Sequence, residues 1–204
     1  MLVIGLTGSI GMGKSTLATH LRDRGIPVFD ADAEVHRLYA GSAVGLIEAA
    51  FPGTTTNGVV DRVKLSAALA GDPKGFGRLE AIVHPMVRAS EGAFLRHEQA
   101  RGTRLAVLEI PLLFETGAED LVDAVILAST TDDIRRARVL QRPGMTPGKF
   151  DLILARQGDE NDKRAKADLV VDTGINIADS LAQLDAGIGR LLVRDGTAFK
   201  RYWS

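Results

Sequence analysis

MLVIGLTGSIGMGKST, residues 1–16, decides how the rest of the chain is read. Its first seven residues are a short apolar run centred on Val3 and Ile4, as a buried strand requires. The next eight, GSIGMGKS, satisfy G-x-x-x-x-G-K-[ST], the pattern of a phosphate-binding loop. Gly8, Gly11 and Gly13 let the backbone turn sharply and leave no side chain between the amides and a phosphate. Those amides then form a nest for an anion. Lys14 supplies a point charge for the outer phosphates, and Ser15 a hydroxyl for Mg²⁺. Met12 and Thr16, inside and just past the loop, complete the nucleotide-binding set. A helix is expected over 16–24, with Leu17 and Leu21 four apart on one face and its positive dipole end at the phosphates. A dinucleotide fingerprint, G-x-G-x-x-G, fails because Thr16 stands where its third glycine would be.

The whole chain bounds the reading. It has 204 residues, a formal net charge of −1, 45% hydrophobic and 25% charged residues, which is an ordinary globular composition. No global field favours a nucleic acid or a membrane surface. With no cysteine, disulfides, thiolate metal sites and cysteine nucleophiles are excluded, and a cytoplasmic location is expected. The N-terminus is taken up by strand and loop, so no signal peptide is expected. His20, His36, His84 and His97 are scattered and form no pair at metal-ligand spacing.

Further along, residues 26–30, IPVFD, read as a second strand ending in Asp30-Ala31-Asp32. Carboxylates just past a strand's carboxyl end lie where open α/β sheets bind ligands. One of the two can instead cap the helix expected over 33–40. Asp30 is assigned to the cap and Asp32 to function. A short helix over 43–51 leads into a polar turn at 52–58. Asp61 caps a helix over 62–70, Asp72-Pro73 starts another, and His84-Pro85 is expected to break it before a long helix to about residue 100. The third strand, 104–108, runs into Glu109, read either as a metal-site carboxylate or as a structural one. Leu112, Leu113 and Phe114 follow in a loop at the sheet's carboxyl end and can line a pocket or plug the core beneath it. A fourth strand at 123–128 precedes two charged helices joined by Pro143-Gly144, an arrangement suited to a lid. Arg138 and Arg142 approach that hinge. A fifth strand at 168–172 and a helix over 176–192 close the fold, and the tail is expected to be docked or frayed.

Taken in order, these residues resemble the dephospho-CoA kinase family. GLTGSIGMGKS matches the family's opening, and Asp30-Ala31-Asp32 its DAD motif. Asp61-Arg62 with Leu65, Leu79-Glu80 with His84-Pro85, and Pro111 to Glu115 as PLLFE match the motifs that follow. Arg138, Gln157 and Ala167-Asp168 match the later ones. The likeness covers nearly the whole chain. It departs at Phe51-Pro52-Gly53 and at Asp172-Thr173-Gly174, where the family often has Phe-Gly and an asparagine.

The resemblance implies an α/β fold: a five-stranded parallel phosphate-loop core with a helical acceptor-binding insertion and a lid. The core would be residues 1–60, 102–130 and 167–204, the insertion 61–101 and the lid 131–166. It also implies transfer of the ATP γ-phosphate to the 3′-hydroxyl of dephospho-CoA, with Mg²⁺, and no obligate protein partner. Asp32, Lys14 and Arg138 would be catalytic, and Arg142 would join the nucleotide site. Asp32, Arg62, His84, Leu112, Leu113 and Phe114 would bind the acceptor. Two rivals are weaker. The fold alone would permit another small-molecule kinase. A GTPase switch would need N-K-x-D for guanine, and Asn161-Asp162-Lys163 has the wrong order.

Overall fold

Six consecutive buried residues form β1 (Leu2–Thr7), as the apolar run at the N-terminus requires. In this computed structural model, which describes residues 1–204, β1 is the middle strand of a five-stranded sheet. The others are β2 (Val28–Asp30), β5 (Leu105–Glu109), β6 (Ala124–Ser129) and β7 (Leu169–Asp172), in the order β2-β5-β1-β6-β7. The sheet is parallel, with Ile4 facing both Val107 and Ala124, and Ala128 facing Val171. This register brings Thr7, Glu109, Ser129 and Asp172 to one edge, the carboxyl edge, where α/β sheets place their ligands.

Alternate residues of the strands face one apolar layer. Ile4, Leu6, Val107, Ile126 and Val171 pack with Leu17, Ala18 and Leu21 of α1 (Lys14–Asp23) and with Leu184, Ile188 and Leu191 of α9 (Ile177–Leu191). Each of the Leu, Ile and Val side chains contributes roughly 1.5–3 kcal/mol on burial. Gly5 points to the opposite face, and a Cβ there would sit 2.3 Å from Leu113 Cδ1. Only glycine at position 5 therefore lets Leu113 seat. The tail is docked: Trp203 is buried and its Nε1 donates to the Leu121 carbonyl at 2.8 Å. Asp123 accepts from the Val3, Thr197 and Ala198 amides, tying the tail to β1.

α6 (Asp132–Leu140) and α7 (Pro147–Leu154) flank the Pro143-Gly144 turn. Thr146 caps α7, accepting from the Lys149 amide at 3.3 Å. The polar run before β7 folds as a short helix, α8 (Glu160–Lys166), because Asp159 accepts from the Asn161 amide at 2.8 Å and caps it.

Residues Asp30–Phe94 form a second compact unit, and the first comprises Met1–Phe29 with Leu95–Ser204. The second unit begins earlier than the insertion expected at 61–101. The reason is packing: Leu38 of α2 (Ala31–Tyr39), Ala43, Ile47 of α3 (Val44–Ala50) and Phe51 share a core with Leu65 and Leu69 of α4 (Arg62–Ala70) and with Val83. Residues 52–58 hold more than a turn. They open a hairpin, β3 (Thr55–Thr56) with β4 (Val59–Val60), whose two corner residues are Asn57 at φ 53 and Gly58 at φ 77. Asn-Gly is the pair that such a corner favours. The break expected at His84-Pro85 is also absent. α5 (Gly75–Ala100) runs through Pro85. A proline inside a helix costs about 3 kcal/mol. Burial of Val83 and Leu95, with Phe76, Leu79, Ile82, Met86 and Val87 partly buried along the same helix, offsets that cost. No helix of the chain is long and apolar enough to cross a membrane.

Candidate active site

Residues 8–13 wrap the N-terminus of α1, with Gly13 at its cap position. Gly11 and Gly13 have φ of 80° and 83°, a region that glycine enters without penalty. Both also sit against neighbours that leave no room. A Cβ on Gly11 would lie 2.9 Å from the Arg135 carbonyl oxygen, and one on Gly13 would lie 3.1 Å from Thr173. Met12 is fully buried, so it offers a ligand only its backbone. Its carbonyl accepts from Thr173 Oγ1 at 2.7 Å. Ser15 and Thr16 are exposed at the start of α1, where helix amides and dipole favour an anion.

Lys14 reaches across to β5. Its Nζ lies 2.7 Å from Glu109 Oε1, and Arg22 NH2 lies 3.1 Å from Glu109 Oε2. Glu109 is 3% exposed, and these two cations are its ion-pair partners. Glu109 ends β5 at the sheet's carboxyl edge, and α1 carries Lys14 and, about two turns on, Arg22. The sequence singled out Glu109 but gave no sign of its partners. Arg138, on α6, donates from NH2 to the Thr173 carbonyl at 2.6 Å and from NH1 to Thr173 Oγ1 at 3.3 Å. Thr173 therefore links Arg138 to Met12 of the loop. The loop is thus flanked by Lys14, held on Glu109, and by Arg138, docked on Thr173.

The model of the family described as dephospho-CoA kinase matches residues 2–179. The chain belongs to this family. A Rhizobium etli dephospho-CoA kinase is 54% identical over 194 residues, covering 95% of this chain and 96% of its own length. One from Mesorhizobium japonicum is 50% identical over 197 residues, covering 97% and 100%. A crystal structure of TT1252 from Thermus thermophilus, 34% identical, superposes with a TM-score of 0.80 over 93% of this chain and 97% of that one.

The dephospho-CoA kinase motifs fall into different environments. In PLLFE, Leu113 is fully buried and plugs the core against Gly5, while Leu112 and Phe114 stay partly exposed. Of the three, only those two retain surface for a ligand. Arg142 is exposed in the turn after α6. Arg135 is not part of a solvated face: its guanidinium lies 5.9 Å from the Phe150 ring centre and pairs with Asp132 at 2.8 Å. Three residues belong to the second unit. Asp32 is exposed in the first turn of α2, where Asp30 serves as cap, accepting from the Ala33 amide at 2.9 Å. Arg62 NH1 lies 2.9 Å from His36 Nε2, and His84 is exposed on α5. Thr173 stands out in the sequence only as part of the departure at Asp172-Thr173-Gly174, with no role assigned to it. It stands one residue past β7, and the strand-end rule that pointed to Asp32 applies to it equally.

Proposed function

We propose that this chain transfers the γ-phosphate of ATP to the ribose 3′-hydroxyl of dephospho-CoA, giving coenzyme A and ADP in the cytoplasm. The observation that carries the reading is the phosphate loop with Lys14 held on Glu109, in a chain that aligns with dephospho-CoA kinases almost end to end. Phosphoryl transfer asks for alignment and charge neutralisation more than covalent chemistry. The loop amides and Lys14 hold the β- and γ-phosphates. Asp32 orients the acceptor hydroxyl and takes its proton as the hydroxyl oxygen bonds to phosphorus and the bond to the bridging oxygen of ADP breaks. Arg62, His84, Leu112 and Phe114 bind the acceptor. Mg²⁺ takes most of its ligands from phosphate and water, so the single exposed Ser15 hydroxyl beside Lys14 fits it. When bound it would neutralise charge on the nucleotide phosphates.

The test is a screen of acceptors with ATP and Mg²⁺, with the site of phosphate in the product found by NMR. Dephospho-CoA is expected to be phosphorylated at the 3′ position, and AMP and adenosine to be much poorer acceptors. An acceptor that loses the pantetheine arm should lose kcat as well as affinity, because remote binding energy positions the reacting hydroxyl. Phosphate on a 5′ position would sink the proposal.

Arg138, already docked on Thr173 beside the loop, and Arg142 are proposed as the cations that meet the transferring phosphate. Arginines in that role can contribute roughly 10³- to 10⁵-fold in rate. Arg138→Ala is expected to lower kcat by about 10²-fold or more, toward that range. Arg136→Ala is the control, since Arg136 is exposed and its partners, the Phe150 ring at 5.6 Å and Asp151 at 3.6 Å, are not residues of the loop. Equal losses in the two variants would remove Arg138 from the site.

A further inference from the structure

A buried lysine outside the proposed chemistry grips the first half of the phosphate loop. Lys163, on α8, is 3% exposed. Its Nζ meets Glu115 Oε1 at 2.6 Å and donates to Ser9 Oγ at 3.1 Å. The Ser9 hydroxyl in turn donates to Glu160 Oε2 at 3.4 Å, and the other oxygen of Glu160 accepts from Ser129 Oγ at the end of β6. One residue further along the loop, the Ile10 amide donates to Gln157 Oε1 at 3.1 Å. Glu115 closes the circuit by accepting from the Gly158 amide at 2.9 Å. Burial alone would raise the Glu115 carboxyl, but the hydrogen bonds from Lys163 and the Gly158 amide outweigh it and hold it below its ordinary value.

Two carboxylates thus stand beside a loop built to bind a polyanion. On their own they would repel nucleotide phosphates. The one cation among them is Lys163, and it is also the donor that fixes the Ser9 side chain. We propose that Lys163 is a positioning residue for the phosphate loop: it holds Ser9, and with it the loop's first half, in the shape that accepts ATP, and it screens Glu115 and Glu160 from the phosphates. The inference rests on the ATP half of the proposed function and not on the identity of the acceptor.

The test is calorimetric titration of the purified protein with ATP and Mg²⁺, without acceptor, beside thermal melting. Lys163→Met is expected to raise the ATP dissociation constant about tenfold or more, the loss typical of one hydrogen bond to a charged group. Lys163→Arg should recover most of that affinity. Glu115→Gln removes a negative charge and leaves the ammonium in place, so its ATP affinity should stay within about threefold of wild type. Ser9→Ala, which deletes only the hydroxyl that Lys163 holds, should weaken ATP about threefold to tenfold with its melting temperature nearly unchanged. Wild-type ATP affinity in folded Lys163→Met would overturn the proposal, as would equal losses in Lys163→Met and Glu115→Gln. If Lys163→Met does not fold, Ser9→Ala decides, and wild-type affinity there has the same consequence. A wild-type protein that binds ATP but phosphorylates no dephospho-CoA would sink the proposed function and leave this inference standing.

Discussion

Lys14→Ala is expected to cut phosphate transfer by about 10²- to 10³-fold or more, the cost of deleting one charge-stabilising donor at a reacting group. It should also lower the melting temperature, which the motif alone would not suggest. Lys14 sits 2.7 Å from the nearly buried Glu109, and the substitution leaves that carboxylate to Arg22 alone. Breaking a buried pair can cost about 3–5 kcal/mol, and the remaining Arg22 contact should reduce this to about 1–3 kcal/mol. For a chain of this size that is a fall of several degrees, at roughly 2–4 °C per kcal/mol. The two effects separate in Lys14→Ala/Glu109→Gln. With the unpaired charge gone, the double variant should regain most of its melting temperature and none of its activity. Were both to return, Lys14 would be a structural partner of Glu109 and not a phosphate ligand.

What the sequence revealed and what it hid divide by distance along the chain. The phosphate loop, the five strands and the cap at Asp30 are set within a few residues, and their signals are local. Two local signals were outweighed. His84-Pro85 is a sound helix stop, yet the apolar residues on both sides of it belong to one continuous stripe, and α5 keeps going. Asn57-Gly58 was folded into a polar turn although it is a hairpin corner. The partners of the site are another matter. Glu109 lies 95 residues from Lys14, Thr173 lies 161 from Met12, and Lys163 lies 154 from Ser9. No periodicity links such pairs. Only the parallel register, which stacks the strand ends at one edge, brings them together. That edge was legible for Glu109, which ends β5. The run that became α8, ENDKRAK, has no apolar periodicity, and a lysine buried inside it left no local trace.

Asp32→Asn is expected to lower kcat by about 10²- to 10⁴-fold, the usual contribution of a positioned general base, while the ATP dissociation constant stays within about twofold. The substitution preserves shape and removes both charge and basicity. It should leave the fold intact, because Asp32 is exposed in the first turn of α2 and asparagine keeps its size and shape. Asp30 provides the internal comparison. It lies two residues away, at the end of β2, and its carboxylate caps α2 through the Ala33 amide. Asparagine caps about as well as aspartate, so Asp30→Asn should keep both stability and kcat. Asp30→Ala should lose about 1 kcal/mol of stability, with kcat near wild type. The pair of positions therefore assigns chemistry to one carboxylate and folding to the other, and steady-state kinetics with melting curves on the three variants reads the assignment directly. If Asp32→Asn keeps its kcat and loses ATP affinity, the carboxylate serves the nucleotide and not the acceptor. If Asp30→Asn loses kcat as heavily as Asp32→Asn, the division of roles between the two is wrong.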